Sequence, residues 1–327
     1  MKYNWNPWEV KNWTAAREEW SNPDLPMVTL GVLNYNRCAE LRQTLDVLTR
    51  AVKYPHYEVI VIDNGSTDGS NEMIRNEYPS VILHEVGKNL GVSARNIEFD
   101  LARGKYLFMF DDDTCPGMPA TVLRIVQHME SNPDIAVLST SYYQPVTGIM
   151  ETTRWENYRF GGDERSGFQT LFLVEGGSCV RVAALKGAAG FDPEWSGAEG
   201  IELALQIYQQ DLGVFFCPWF LTLHFVSPSP RLAGRSYRAH RAYVNSRQFV
   251  WMIAKHWPIT AALPLLTCLI LRRILAMVMH RHTATENIRG IFDGFRAITR
   301  FARYGPKLSW KQVFAIRRFY LGMLRWA

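Results

Sequence analysis

An α/β fold is what this 327-residue sequence predicts: a mostly parallel central sheet covered on both faces, followed by a helical, basic C-terminal region. Three observations carry that prediction. Short, continuously apolar runs alternate with segments whose apolar residues fall at helical spacing, which is how strands buried on both faces and the helices that cover them read. The length suffices for a large domain with its own core, and 47% hydrophobic against 20% charged residues excludes a disordered chain. The charge is divided. From Pro228 onward 18 Lys and Arg face only Glu286 and Asp293, so a net charge of +5 conceals an acidic first part and a basic last part.

The elements follow in order. Residues 1–26 form an aromatic arm whose four tryptophans, Trp5, Trp8, Trp13 and Trp20, show no clear periodicity. MVTLGVLNY (27–35) reads as the first strand and CAELRQTLDVLTRAV (38–52) as a helix. YEVIVID (57–63) is a buried strand stopping at Asn64-Gly65-Ser66, after which Thr67 or Asp68 can cap a helix running to about Glu77. A strand at 80–86, a helix at 92–102, the strand KYLFMF (105–110), a helix over Thr121–Met129 and the strand IAVLST (135–140) continue the alternation. Residues 141–170 read as a loop-heavy acceptor region. TLFLVE (170–175) reads as a further strand leading into Gly176-Gly177, followed by a helix near 198–210 and the strand VFFCP (214–218). Beyond Arg235 the pattern is helical. In sheets of this kind ligands bind outside the carboxyl ends of the strands, and the polar clusters stand just after the strands.

The densest cluster is Asp111-Asp112-Asp113. Three successive carboxylates repel one another, and hard divalent cations such as Mg²⁺ and Mn²⁺ relieve that repulsion while bridging carboxylates to a diphosphate. The alternative is an acidic turn or helix N-cap, with Thr114 and Pro116 beginning the next helix. Asp63-Asn64-Gly65-Ser66 places polar side chains where a base and ribose could be bound, and is equally a common turn. Arg95 follows Asn89-Leu90-Gly91 near a helix N-terminus, a place for a diphosphate or simply for a surface arginine.

Cys38, Cys115, Cys179, Cys217 and Cys268 form no CxxC and no close pair, which suits a reducing compartment. MKYNWNPWEV carries no apolar leader, so a cytoplasmic protein is expected. The run ITAALPLLTCLI (259–270) is shorter than the roughly 18–20 residues needed to cross a bilayer, and Arg272-Arg273 separates it from the apolar ILAMVM. Such an Arg-rich amphipathic segment suits the surface of an anionic membrane, placing the protein peripherally on the cytoplasmic face. A helical hairpin packed on the first domain, its arginines solvated, is the other reading. No nucleic-acid motif accompanies the basic residues.

VTLGVLNYNR, VIDNGSTDGS, NLGVSARN and FMFDDDT, in that order across residues 27–140, resemble the donor-binding half of the family 2 glycosyltransferases of GT-A fold. The likeness continues more weakly through VEGGSCVRVAALKGAAGFDPEW to His224. It implies a catalytic domain over 27–234, with a donor-binding half (27–140) and an acceptor half (141–234), and a helical, membrane-associating region over 235–327. It implies an inverting sugar transfer, a nucleotide-diphosphate sugar donor (UDP-, dTDP- or GDP-linked) and a divalent metal, Mn or Mg. The acceptor is a glycan or lipid-linked molecule, and bacterial surface polysaccharide is the implied product.

Carried over by position, Asn34 and Arg37 lie in the first donor-binding loop, Asp63 and Asn64 read the base, Arg95 lies near the diphosphate and Asp112 near the ribose. Asp113 with Asp111, completed by His224, holds the metal. A base must take the proton of the attacking hydroxyl. The family supplies it from an acidic pair at a helix start, but Gly200 stands in the second place here, leaving Glu199 or Glu202 for the role. Gly200 also admits a non-catalytic scaffold that binds a nucleotide sugar. A nicotinamide oxidoreductase is excluded because Leu33-Asn34-Tyr35-Asn36 stands where GxGxxG belongs. A nucleotidyltransferase would need a glycine-rich, lysine-bearing loop that is missing. Deletion of 258–327 is expected to solubilise the protein and leave donor binding intact.

Overall fold

The structure, a computed structural model, describes residues 22–150, 159–163, 167–225, 235–279, 284–299 and 307–317. Most of the aromatic arm, part of the acceptor loop and the last ten residues lie outside the described residues.

Strand β1 (Val28–Asn34) leads into α1 (Cys38–Asp46), extended by a π-helical turn at Val47–Ala51. β2 (Tyr57–Asp63), α2 (Ser70–Glu77), β3 (Ile82–Glu85) and α3 (Arg95–Leu101) follow. Next come β4 (Tyr106–Asp111), β5 (Thr114–Pro116), α4 (Thr121–Ser131), β6 (Ile135–Gln144) and β7 (Ile149–Met150). After these lie β8 (Gly161–Asp163), β9 (Gly167–Gln169), β10 (Gly177–Arg181), α5 (Val182–Leu185), α6 (Glu199–Tyr208) and β11 (Gly213–His224). The chain then runs through α7 (Arg235–His256), α8 (Ile259–Met279), α9 (Ala284–Arg296) and α10 (Trp310–Ala315).

The sheet order is β3-β2-β1-β4-β10-β6-β11-β9-β8, with β5 on β11 and β7 on β6. β3, β2, β1 and β4 are mutually parallel, β10 runs antiparallel between β4 and β6, and β11 is parallel to β6. The anticipated mostly parallel sheet is present. β4 shows how the sheet is buried on both faces: Tyr106, Phe108 and Phe110 join one core cluster, while Leu107 and Met109 join the other, the alternation that strand geometry dictates. The first cluster packs under α1, α2 and α4; the second lies under α5, α6 and α7.

Several local expectations fail for physical reasons. TLFLVE is not a strand: Leu171 and Leu173 are buried in the core, but the chain turns where Gly177 N donates to Val174 O at 3.1 Å. The strand is β10, one turn later and antiparallel. An apolar run reports burial and not a ladder. Thr114–Pro116 does not open a helix; it pairs with β11 in the register His224↔Thr114. Thr67 does not cap α2, whereas Asp68 Oδ1 accepts from Ser70 N at 3.1 Å across a left-handed Gly69.

The C-terminal helices share the core of the first part. Trp251, Trp257, Leu266, Leu269, Leu308 and Ile316 are buried in one cluster with Leu203 and Ile207 of α6. Removing 258–327 would therefore open that core, against the expectation of an intact soluble remainder. Among the described residues no helix is long and apolar enough to cross a membrane.

Candidate active site

Parallel register brings three strand ends to one edge: Asn34 lies opposite Asp63, and Leu33 opposite Asp111. The loops leaving these ends are fastened to one another. Asn34 Nδ2 donates to Asp63 Oδ1 at 2.9 Å and to Ser66 Oγ at 3.0 Å. Asn36, with φ 54, takes the left-handed turn and accepts from Thr67 N at 2.7 Å.

Asp63 and Asn64, expected to read a base, stand at the end of β2. Both are buried. Asp63 Oδ2 accepts from Ser66 N at 2.9 Å and Asn71 Nδ2 at 3.2 Å. Asn64 donates to Asn89 Oδ1 and Gly91 O, each at 3.0 Å, and accepts from Leu90 N at 2.8 Å. These side chains fasten the end of β2 to the NLG loop.

Arg95, expected near the diphosphate, lies inside the protein. It is 0% exposed and cannot meet a ligand at the surface. It pairs with buried Glu98 at 3.1 Å, donates to Phe110 O at 2.9 Å and reaches Asp111 Oδ1 at 2.5 Å. A buried guanidinium needs such partners, and here it fixes the end of β4. Burial pushes the Glu98 carboxyl up to about 7 against the pull of Arg95.

The acidic triplet gathers the first loop around it. Tyr35 N donates to Asp112 Oδ2 at 3.2 Å, and Arg37 Nη1 contacts Asp112 Oδ1 at 3.4 Å and pairs closely with Asp113. Burial, then the neighbouring Asp113, raises the Asp112 carboxyl to about 7; burial and Asp111 raise Asp113. The β5–β11 pairing carries His224 to the same place, its Nε2 3.7 Å from Asp113 Oδ1. Asp113 and His224 thus stand together, whereas Asp111 is turned to Arg95. Among the described residues no three His, Cys, Asp or Glu side chains form a ready-made metal set. One carboxylate oxygen and one imidazole nitrogen, beside carboxylates that burial makes reluctant to ionise, are donors that suit Mn²⁺ or Mg²⁺ when the diphosphate supplies the remaining oxygens.

The two expected bases on α6 part company. Glu202 is 1% exposed. It accepts from Lys255 Nζ at 2.6 Å, His256 Nε2 at 3.0 Å and Gln206 Nε2 at 2.6 Å. Burial alone would raise its carboxyl, but His256 and Lys255 hold it below the usual range. Glu202 is an internal clamp between α6 and α7, not a base. Glu199, at the helix start, is half-buried and makes no hydrogen bond to a described residue.

One acid was missed. Glu175 is half-buried at the α6 N-terminus, where Oε1 accepts from Gly200 N at 2.7 Å. Burial, then Glu199, raises its carboxyl to about 7. Its turn is pressed onto the triplet: Thr114 Oγ1 donates to Gly176 O at 2.7 Å, and a Cβ on Gly176 would lie 2.8 Å from Tyr142 Oη and collide with Asp111 Oδ2. The legible signal was an acid ending an apolar run just before two glycines.

Comparison with known proteins gives four matches. Residues 29–187 match the family model described as Glycosyl transferase family 2. SPbeta prophage-derived glycosyltransferase SunS of Bacillus subtilis is 27% identical over 145 residues, 42% of this chain and 32% of its own length. An undecaprenyl-phosphate 4-deoxy-4-formamido-L-arabinose transferase of Aeromonas hydrophila is 32% identical over 114 residues, 33% of this chain and 35% of its own. The chain therefore spans about a third of the length of these curated relatives. Among solved structures, the mannosyltransferase PcManGT of Pyrobaculum calidifontis, in complex with GDP-Man and Mn²⁺, superposes with a TM-score of 0.57 over 92% of this chain and 84% of its own, at 19% identity.

Proposed function

Since residues 29–187 match the family 2 glycosyltransferase model and the fold is that of a solved mannosyltransferase, we propose that the protein moves a sugar, with inversion, from a nucleotide-diphosphate donor to a hydroxyl of a glycan or lipid-linked acceptor. The observation that carries this is the convergence of Asp112, Asp113, Arg37 and His224 at the carboxyl ends of β1 and β4. A divalent cation bound by Asp113 and His224 would supply positive charge to the departing diphosphate. Arg37, half-exposed and shared between two carboxylates, is placed to exchange them for phosphate oxygens as donor and cation arrive. Asp112, fixed by Tyr35 N, is left for the ribose.

The mannosyltransferase captured with GDP-Man and Mn²⁺ supports a nucleotide sugar and a cation. The relative named for undecaprenyl phosphate supports a lipid-linked acceptor, and surface polysaccharide synthesis is the role we propose for such an acceptor. Attachment to the cytoplasmic face of an anionic membrane fits exposed apolar residues on the basic C-terminal helices: Ile259 (75%), Leu263 and Leu271 at four- and eight-residue steps on α8, Phe292 (58%) on α9, and Trp310 with Phe314 (60%) on α10.

A panel of UDP-, dTDP- and GDP-sugars with Mn²⁺ or Mg²⁺, assayed for nucleoside diphosphate release with and without membrane extract, tests the reading. Cation-dependent release by the wild type, abolished in Asp113→Ala, is expected. Gly200 favours a second reading, a scaffold that binds the donor without turning it over; tight nucleotide-sugar binding with no release would establish it.

A further inference from the structure

Transfer to a hydroxyl needs a group that takes its proton, and the described acids near the cleft narrow quickly. Glu202 is sealed in its clamp, and Asp111 is tied to Arg95. Glu199 and Glu175 remain, at the same helix end.

Position 200 separates them. A Cβ on Gly200 would lie 2.6 Å from Glu175 Oε1 and collide with Leu173 O. The room for a side chain there is already taken by a carboxylate arriving from the opposite wall. Glu175 Oε1 is oriented by Gly200 N at 2.7 Å, no other described side chain is hydrogen-bonded to the carboxylate, and the residue stays partly open to solvent. Its turn is held to the acidic triplet through Thr114 and the bare Cα of Gly176. No hydrogen bond to a described residue fixes the carboxylate of Glu199. Catalysis favours the group whose direction is already set.

From this geometry we infer that Glu175 is the catalytic base, supplying from the loop after Leu173 the carboxylate that position 200 cannot carry; the inference rests on the glycosyltransferase reading. As the acceptor oxygen bonds to the anomeric carbon, the bond from that carbon to the diphosphate oxygen breaks and its electron pair leaves with the nucleoside diphosphate. The hydroxyl proton passes to Glu175 Oε2, which returns it to solvent.

The test uses the full chain, Mn²⁺, and UDP-glucose, dTDP-glucose and GDP-mannose as donors, with water and then membrane extract as acceptor. For the donor consumed, Glu175→Gln should lower kcat by about 100-fold or more, with KM within about twofold, and Glu199→Gln should change kcat by less than about fivefold. Glu175→Ala should regain turnover on addition of formate, a rescue that a purely structural role does not permit. A Glu199→Gln enzyme that is inactive beside an active Glu175→Gln enzyme would move the base to Glu199 and overturn the inference. So would a Glu175→Gln enzyme with normal melting that loses donor affinity and kcat together, its alanine counterpart indifferent to formate. Failure of the wild type on every donor would remove the glycosyltransferase reading first, and this inference with it.

Discussion

Glu199 and Glu202 sit one helical turn apart and have opposite surroundings. The first meets solvent at a helix start; the second is closed in with Lys255 and His256. Glu202→Ala leaves Lys255 without its counter-charge and the buried His256 without its partner, and should destabilise the protein by about 3–5 kcal/mol in urea unfolding, with kcat per folded molecule unchanged. An unchanged unfolding midpoint would mean that the clamp does not hold α7. The raised carboxyls act through pH. Asp112 and Glu175 each titrate near 7 in the folded chain and near 4 when unfolded, so between about pH 4 and pH 7 the folded state binds more protons. Stability contributed by these groups therefore falls as pH rises through that window. The melting temperature without cation should drop from pH 5 to pH 8, and Mn²⁺ should raise it more at pH 8, where it no longer competes with protons. Glu202 acts in the opposite sense, but only at more acid pH. Equal Mn²⁺ effects at both pH values would count against carboxylate ligation.

At the scale of elements, the strand ends were legible and their side-chain directions were not. Apolar periodicity found β1, β2 and β4, and parallel pairing alone brings Asn34, Asp63 and Asp111 to one edge. Whether a polar residue there faces ligand or protein depends on partners far along the chain. Arg95 of α3 is paired inward because Asp111 reaches it from the end of β4, and Asn64 because the NLG loop folds over it. The turn at 174–177 was misread as the end of a strand because burial without a ladder looks the same in sequence. That turn makes its own prediction. Gly176→Ala would push against Asp111 and Tyr142, and should cost about 1–3 kcal/mol with at least a tenfold loss of kcat/KM. Gly87→Ala meets no neighbour but is strained by a φ of +76, so it should cost stability while leaving kcat/KM unchanged. Equal losses in both would mean that the Gly176 contact is not special.

Over the whole molecule, the divided charge was visible in the sequence, whereas the shared core was not, since helical periodicity does not say which face meets which partner. Trp257, Leu266 and Ile316 pack with α6, so the basic region is part of the catalytic body and still exposes apolar residues outward. Vesicles rich in anionic lipid should sediment the wild-type protein, salt should weaken that binding, and the pair Phe292→Ser and Phe314→Ser should reduce it about tenfold without lowering the melting temperature. Binding unchanged in that variant would remove the membrane assignment from these helices. The two ends of α6 are held by different parts of the molecule. Its first turn offers Gly200 N to Glu175, and its last turn offers Tyr208 O to Gln312 of α10 at 2.9 Å. A stiff rod about 15 Å long therefore joins α10, the helix proposed to meet lipid, to Glu175, the proposed base. On those two proposals, docking and catalysis would be linked equilibria: whatever factor a bilayer adds to acceptor binding, a bound acceptor would add to the hold on the bilayer.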